Sequence, residues 1–271
     1  MNVKVKSTLF VLAVLFQAWW SSSVLAVTAN DVLLLAARAG DIPRLKSALM
    51  DGADVNFSNA AGRTALMAAL QLRNPRTVDY LLTEGADVDK ADGRGSTALM
   101  QVIARGDKKN FDRLMNEGAD PTIQDKNGES ALITASYYGH TEMVRALLSR
   151  GVDTRAARKN GLTALHHAAY FGHKDIANLL LVHGADINVA AEDGSTPLML
   201  AVSQEKLEVA QLLVSNGADI KLESKLGGNA LARAKILAND DLIDLIEERA
   251  SELEAEAAAA EAEAGGSKKK K

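Results

Sequence analysis

No cysteine occurs anywhere in the sequence, which excludes a disulfide, a thiolate zinc site, an iron–sulfur cluster, a cysteine nucleophile and a lipid-modified cysteine behind an export signal. Aromatic residues are scarce at 4%, and both tryptophans stand together at Trp19 and Trp20. Neither sign of charge dominates. Lys and Arg number 31 against 35 Asp and Glu, a formal net charge of −4, so bulk attraction to nucleic acid or anionic lipid is absent and no nucleic-acid partner is expected. No hydrophobic run reaches the roughly 20 residues of a membrane-spanning helix. What remains is 47% hydrophobic and 24% charged over 271 residues, a balance that argues against wholesale disorder.

Residues 1–26 have the layout of an export signal: Lys4 and Lys6, an apolar run from Leu9 to Trp20 broken only by Gln17, then three serines and Val24-Leu25-Ala26. Small residues at positions −3 and −1 suit the processing peptidase, which places cleavage after Ala26. Removing 26 residues from 271 leaves 245, takes the charge from −4 to −6 through loss of Lys4 and Lys6, and removes both tryptophans. The mature chain is then expected in the bacterial periplasm or secreted, monomeric and without stable membrane insertion. The alternative is an uncleaved segment that tethers a scaffold to the membrane.

Beyond Ala26 the chain repeats itself. Gly-Ala-Asp begins at Gly52, Gly85, Gly118, Gly184 and Gly217, and Gly-Val-Asp at Gly151 fills the vacant place, so every interval is 33 residues. In the same phase run Thr64-Ala65-Leu66, Thr97-Ala98-Leu99, Ser130-Ala131-Leu132, Thr163-Ala164-Leu165, Thr196-Pro197-Leu198 and the weaker Asn229-Ala230-Leu231. Each hydroxyl can accept from free N–H groups at the start of a first helix, and Pro197 sits where a missing N–H costs nothing. About eight residues on comes a turn, such as Gly40-Asp41, Asn74-Pro75, Gly106-Asp107, Gly139-His140 or Gly172-His173. The polar member of that turn can cap a second helix. The glycine of Gly-Ala-Asp ends that helix, because glycine alone takes the left-handed conformation cheaply.

These residues resemble the ankyrin repeat, most closely Gly161-Leu-Thr-Ala-Leu-His-His-Ala-Ala-Tyr-Phe-Gly-His173 followed by Leu179 to Asn188. The resemblance implies an all-α repeat solenoid of stacked helix-turn-helix units with β-hairpin-like loops. Residues 27–250 would form about seven units, including two atypical caps, because the end units of a solenoid face water on one side. Residues 251–271 would form a Glu/Ala-rich helical or disordered tail ending in four lysines. Departures from the family pattern are Met67, Met100, Ile133 and Met199 where a histidine is common. The second and sixth turns carry Arg73-Asn74-Pro75 and Glu205-Lys206, and are expected to be shaped differently.

The five histidines fall in the fourth and fifth units. Repeat positions account for His140, His166, His173 and His183, leaving His167 over; a metal-dependent role of the His140, His166, His167 and His173 group is the catalytic-class alternative. Gly93-Arg94-Gly95-Ser96-Thr97-Ala98 mimics a dinucleotide fingerprint but lacks the preceding buried strand that such a site needs. The in-phase aspartates from Asp54 to Asp219 are expected to fasten loops. Asn56-Phe57-Ser58 is a glycosylation sequon by pattern. No cofactor is expected, and no catalytic motif is present.

The resemblance also implies that partners dock on the concave face, formed by hairpin tips and the ends of first helices. The residue pairs there are Gln71-Leu72, Ala104-Arg105, Tyr137-Tyr138, Tyr170-Phe171 and Ser203-Gln204. Four of the seven aromatics beyond residue 26 thus fall in two adjacent units, and aromatics dominate binding hot spots. Tyr138 and Phe171 could instead pack between helices. Arg63, Arg94, Lys126, Glu129, Lys159 and Glu192 would surround the patch as a charged rim, with Arg105 counted among the partner-binding residues. The sequence therefore predicts a non-enzymatic module that binds a protein partner.

Overall fold

The computed structural model describes residues 27–72 and 74–267. Residues 1–26, with the expected export signal and its expected cleavage point, Arg73 and Lys268 to Lys271 lie outside the described residues.

Fourteen helices stand in seven antiparallel pairs among these residues: α1 (Ala29–Ala39) with α2 (Ile42–Met50), α3 (Ala65–Gln71) with α4 (Pro75–Thr83), α5 (Ala98–Ala104) with α6 (Lys108–Asn116), α7 (Ala131–Tyr138) with α8 (Thr141–Ser149), α9 (Ala164–Phe171) with α10 (Lys174–Val182), α11 (Pro197–Ser203) with α12 (Leu207–Ser215), and α13 (Ala230–Leu237) with α14 (Asp240–Ser267). Helices this short do not persist alone. Two columns of leucine hold them, both in the 33-residue phase. Leu33, Leu66, Leu99, Leu132, Leu165 and Leu198 come from the first helices, and Leu81, Leu114, Leu147, Leu180 and Leu213 from the second, all at most 1% exposed. Ile246 of α14 closes the second column, so the final helix seals the end of the core before continuing outward.

Caps define the helix starts. The Thr64, Thr97, Ser130 and Thr196 hydroxyls accept from the N–H groups of Met67, Met100, Ile133 and Met199 at 3.2–3.4 Å, and Asn229 does the same for Ala232. Asp41, Asn74 and Asp107 cap α2, α4 and α6. His140 and His173 do not cap α8 and α10, contrary to the expectation from their turn position. Imidazole is too long and rigid for the short reach of an Asp or Asn cap. It crosses instead to the preceding unit, where the His140 ring covers Gly106 and the His173 ring covers Gly139, with His173 Nε2 3.4 Å from the Tyr137 carbonyl.

The sixth turn also departs from expectation. Glu205 takes a positive φ of 53° at the position held by Gly40, Gly106, Gly139 and Gly172 in other turns, as Ala238 does in the last turn with φ 52°, so the backbone keeps the common shape at a non-glycine residue. Its carboxylate accepts from Asn239 of the next unit at 2.8 Å, a bond that helps hold the strained residue.

The loops are fastened twice. Asp54, Asp87, Asp120, Asp153, Asp186 and Asp219 each accept from the N–H two residues on, at 2.8–2.9 Å, as expected. Between units, the Asn56 side-chain oxygen accepts from Asp87 N–H at 2.7 Å and its amide donates to the Gly85 carbonyl, so the sequon asparagine is a staple. At the hairpin tips one backbone bond joins each successive pair: Gly93 to Ala61, Lys126 to Arg94, Lys159 to Asn127, Glu192 to Asn160 and Lys225 to Asp193, donor first, at 2.8–2.9 Å. Formal bridges within hairpins are limited, among the described residues, to Ser58–Thr64 and Ala157–Thr163.

Candidate protein-binding groove

First helices and hairpin tips bound a long groove. Over the first three units it holds a cavity of about 380 Å³ lined by Arg38, Arg63, Arg94 and Arg105 with the amides of Gln71 and Gln101. Arg94, Gln101 and Ala104 are shared with an adjoining cavity of about 400 Å³, whose other walls include Glu129, Tyr137, Tyr138 and Arg158. The sequence-predicted residues Arg63, Arg94, Arg105, Glu129, Tyr137 and Tyr138 therefore come together. Lys126 and Lys159 line neither cavity; Lys126 Nζ donates to the Gly93 carbonyl at 2.7 Å, and both stay exposed on the tips.

The aromatic residues form one contiguous cluster. Tyr137 meets Tyr138 at a centroid distance of 4.9 Å and Phe171 at 4.6 Å, and Phe171 meets Tyr170 at 4.9 Å, each edge to face. Packing between helices does not claim Tyr138 and Phe171: they are 50% and 36% exposed, beside 39% for Tyr137 and 38% for Tyr170. Their rings stack instead on the turn histidines, Tyr138 on His140 and Phe171 on His173, both at 6.0 Å.

Beneath the cluster lies a polar floor built by one repeat position, held in successive units by Gln101, Thr134 and His167. Glu129 is pinned there by Arg158 Nε at 3.2 Å and by the Thr134 hydroxyl, which donates at 2.9 Å. Burial nevertheless raises its carboxyl above the ordinary range. Arg158 occupies the place where Asp92 and Asp125 brace their own hairpins by accepting two backbone N–H groups each; a guanidinium cannot accept, and it turns to Glu129. His167 is 6% exposed, sits 5.4 Å from the Tyr137 ring, and its Nε2 has no hydrogen-bond partner. Burial, with Arg158 and His166 adding repulsion, lowers it to about 4.

His166 is a structural staple. Its Nδ1 accepts from Thr163 N–H at 3.1 Å, which puts the proton on Nε2, 3.0 Å from the Ser195 carbonyl of the next unit. Both nitrogens are engaged, and burial depresses its pKa. Among the described residues no group of three or more His, Asp or Glu is arranged to hold a metal ion. The Gly93–Ser96 segment is a hairpin tip, where the Asp92 carboxylate accepts from Arg94 and Ser96 N–H.

Sequence reasoning missed Arg38, Arg158 and His167 as groove residues. The signal was available in phase. Arg38-Ala39-Gly40-Asp41 aligns with Tyr137-Tyr138-Gly139-His140, and Arg158 with Asp92 and Asp125.

Stacked helical pairs, an in-phase leucine core and a groove along one face define an all-α repeat solenoid. The chain belongs to the ankyrin-repeat family: it matches "Ankyrin repeats (3 copies)" over residues 33–125 and 99–191, and "Ankyrin repeat" over 193–225. Comparison with curated protein sequences gives no match. Ankyrin repeats are in general protein–protein interaction modules, typically non-enzymatic scaffolds.

Proposed function

We propose that this chain is an exported adaptor that binds a protein partner in the groove through the Tyr137, Tyr138, Tyr170 and Phe171 cluster, without catalysing a reaction. The observation that carries the reading is that four large rings, each more than a third exposed, lie in mutual contact on the face that also holds the cavities. A monomeric protein gains nothing in its own core from rings left this exposed, whereas a partner would desolvate them together. The edge-to-face contacts hold each ring in place before binding, so little side-chain entropy opposes the complex.

The test is crosslinking and recovery from the native cells, wild type beside a double variant with Tyr137→Ala and Tyr170→Ala, followed by affinity measurement on the recovered protein. Loss of about 2 kcal/mol or more, roughly 30-fold in Kd, is expected with the fold intact. Identical recovery and identical affinity would remove the aromatic patch from the interface.

Export rests on residues 1–26, with Lys4 and Lys6, the Leu9 to Trp20 run and the Val24-Leu25-Ala26 end. No helix among the described residues is long and apolar enough to cross a membrane. Protein purified from the extracytoplasmic fraction is expected to begin at Val27 and to show tyrosine but no tryptophan emission. A tryptophan band with an intact mass that retains the first 26 residues would favour the tethered scaffold.

A further inference from the structure

In a chain of net charge −4, the groove over the first three units presents cations alone. Arg38 lies in the last turn of α1, Arg63 and Arg94 stand on successive hairpins, and Arg105 follows α5. All four line one cavity, and none of the described residues lining it is Asp or Glu. Arg105 reaches the Leu70 carbonyl at 3.4 Å, and Arg94, with its side chain 77% exposed, stands 3.7 Å from Asp92. Guanidinium groups gathered in a partly desolvated groove repel one another, and an entering carboxylate relieves that repulsion while accepting paired N–H bonds.

The next stretch of the groove changes character. Arg94 and Gln101 lead into the adjoining cavity, walled by Tyr137 and Tyr138, where Asp125 and Glu129 bring the first carboxylates. Farther along the hairpin tips, a depression carries Glu192 and Asp193 beside Lys225. Along the axis the groove is cationic over the arginines, then aromatic with carboxylates and cations mixed. An unbroken polyanion such as a nucleic-acid strand would leave the arginines only to meet these carboxylates, and no aromatic ring lines the arginine cavity to stack a base. A short run of acidic side chains followed by an apolar or aromatic one fits the cationic and the aromatic stretches in that order.

We propose that the groove binds an acidic segment of a protein partner, its carboxylates on Arg38, Arg63, Arg94 and Arg105 and its apolar residue against Tyr137 and Tyr138. This rests on the groove-docking reading above and adds the chemical class of the partner.

The experiment is fluorescence anisotropy of the purified protein with labelled synthetic peptides of about a dozen residues: a Glu-rich peptide carrying one Phe, its counterpart with Gln for every Glu, and an oligothymidylate of similar length. The Glu peptide is expected to bind at least about 10-fold tighter than the Gln peptide, with an affinity that falls as salt rises. Arg63→Gln with Arg94→Gln, both exposed, should erase most of that preference while leaving the circular dichroism unchanged. Tyr137→Ala with Tyr170→Ala should weaken both peptides alike. Equal affinity for the Glu and Gln peptides, no saturable binding of the Glu peptide up to about 1 mM, or tighter binding of the oligothymidylate overturns the proposal. Equal affinity that still drops in the tyrosine variant spares groove docking and removes only the acidic class; indifference to both variants removes both.

Discussion

Taking the protein from about pH 7 to about pH 5 is expected to lower the stability of the array by roughly 2 kcal/mol through His167 alone. The unfolded chain protonates this side chain near the ordinary value of about 6.5, whereas the folded chain keeps it neutral down to about 4. Its contribution to stability is therefore complete above about 6.5 and is lost progressively as the pH falls from there to about 4, because over that window only the unfolded chain binds the proton. His166, also depressed by burial, acts in the same direction. Glu129, raised by burial, acts in the opposite one, so the clean readout is a difference between proteins. His167→Gln, the residue that Gln101 supplies at the same repeat position, should flatten the dependence in urea melts followed by circular dichroism. Parallel pH profiles for wild type and variant would sink the assignment.

Replacing Gly128 by alanine is expected to cost more than twice what the same change costs at Gly118. Both residues have a left-handed backbone, φ +80° and +86°, so both carry the roughly 1–2 kcal/mol penalty of a Cβ in that conformation. The surroundings differ. A Cβ at Gly118 meets nothing within 4 Å, whereas at Gly128 it would lie 2.8 Å from the Ala157 carbonyl oxygen and 2.9 Å from Arg158 Cα. The next hairpin must move away, which breaks the Lys159 to Asn127 bond. Because a solenoid is stabilised by neighbour interfaces, weakening one in the middle should also split a single melt into two steps. Equal destabilisation by the two alanines would mean that the hairpins are not in load-sharing contact.

The repeat phase made most of the architecture legible. Thr and Ser before Ala-Leu marked the first helices, the Gly-Ala-Asp glycine ended the second, and the six aspartates behaved as loop fasteners because a short carboxylate can only reach nearby N–H groups. Side chains that act between units were harder to read. His140 and His173 share the capping position of Asp107, and only their reach to the preceding unit's glycine sets them apart. Glu205 hides a left-handed residue under a sequence that lacks glycine. Tyr138 and Phe171 are hydrophobic residues in a helical pattern, and only the structure shows them stacked on histidines in the open. Arg158 breaks an in-phase Asp, and its compensation through Glu129 depends on a contact that no spacing within one unit specifies.

The single backbone bond between successive hairpin tips has a mechanical meaning. On the helical side, neighbouring units are joined by broad apolar contact that resists sliding and stretching; at the tips the backbones are joined by one short hydrogen bond per junction. Each junction is thus a hinge with a stiff edge and a compliant one. Small rotations at five such links add along the axis, so the curvature of the whole array, and with it the width offered to an incoming chain, can adjust without any helix unpacking.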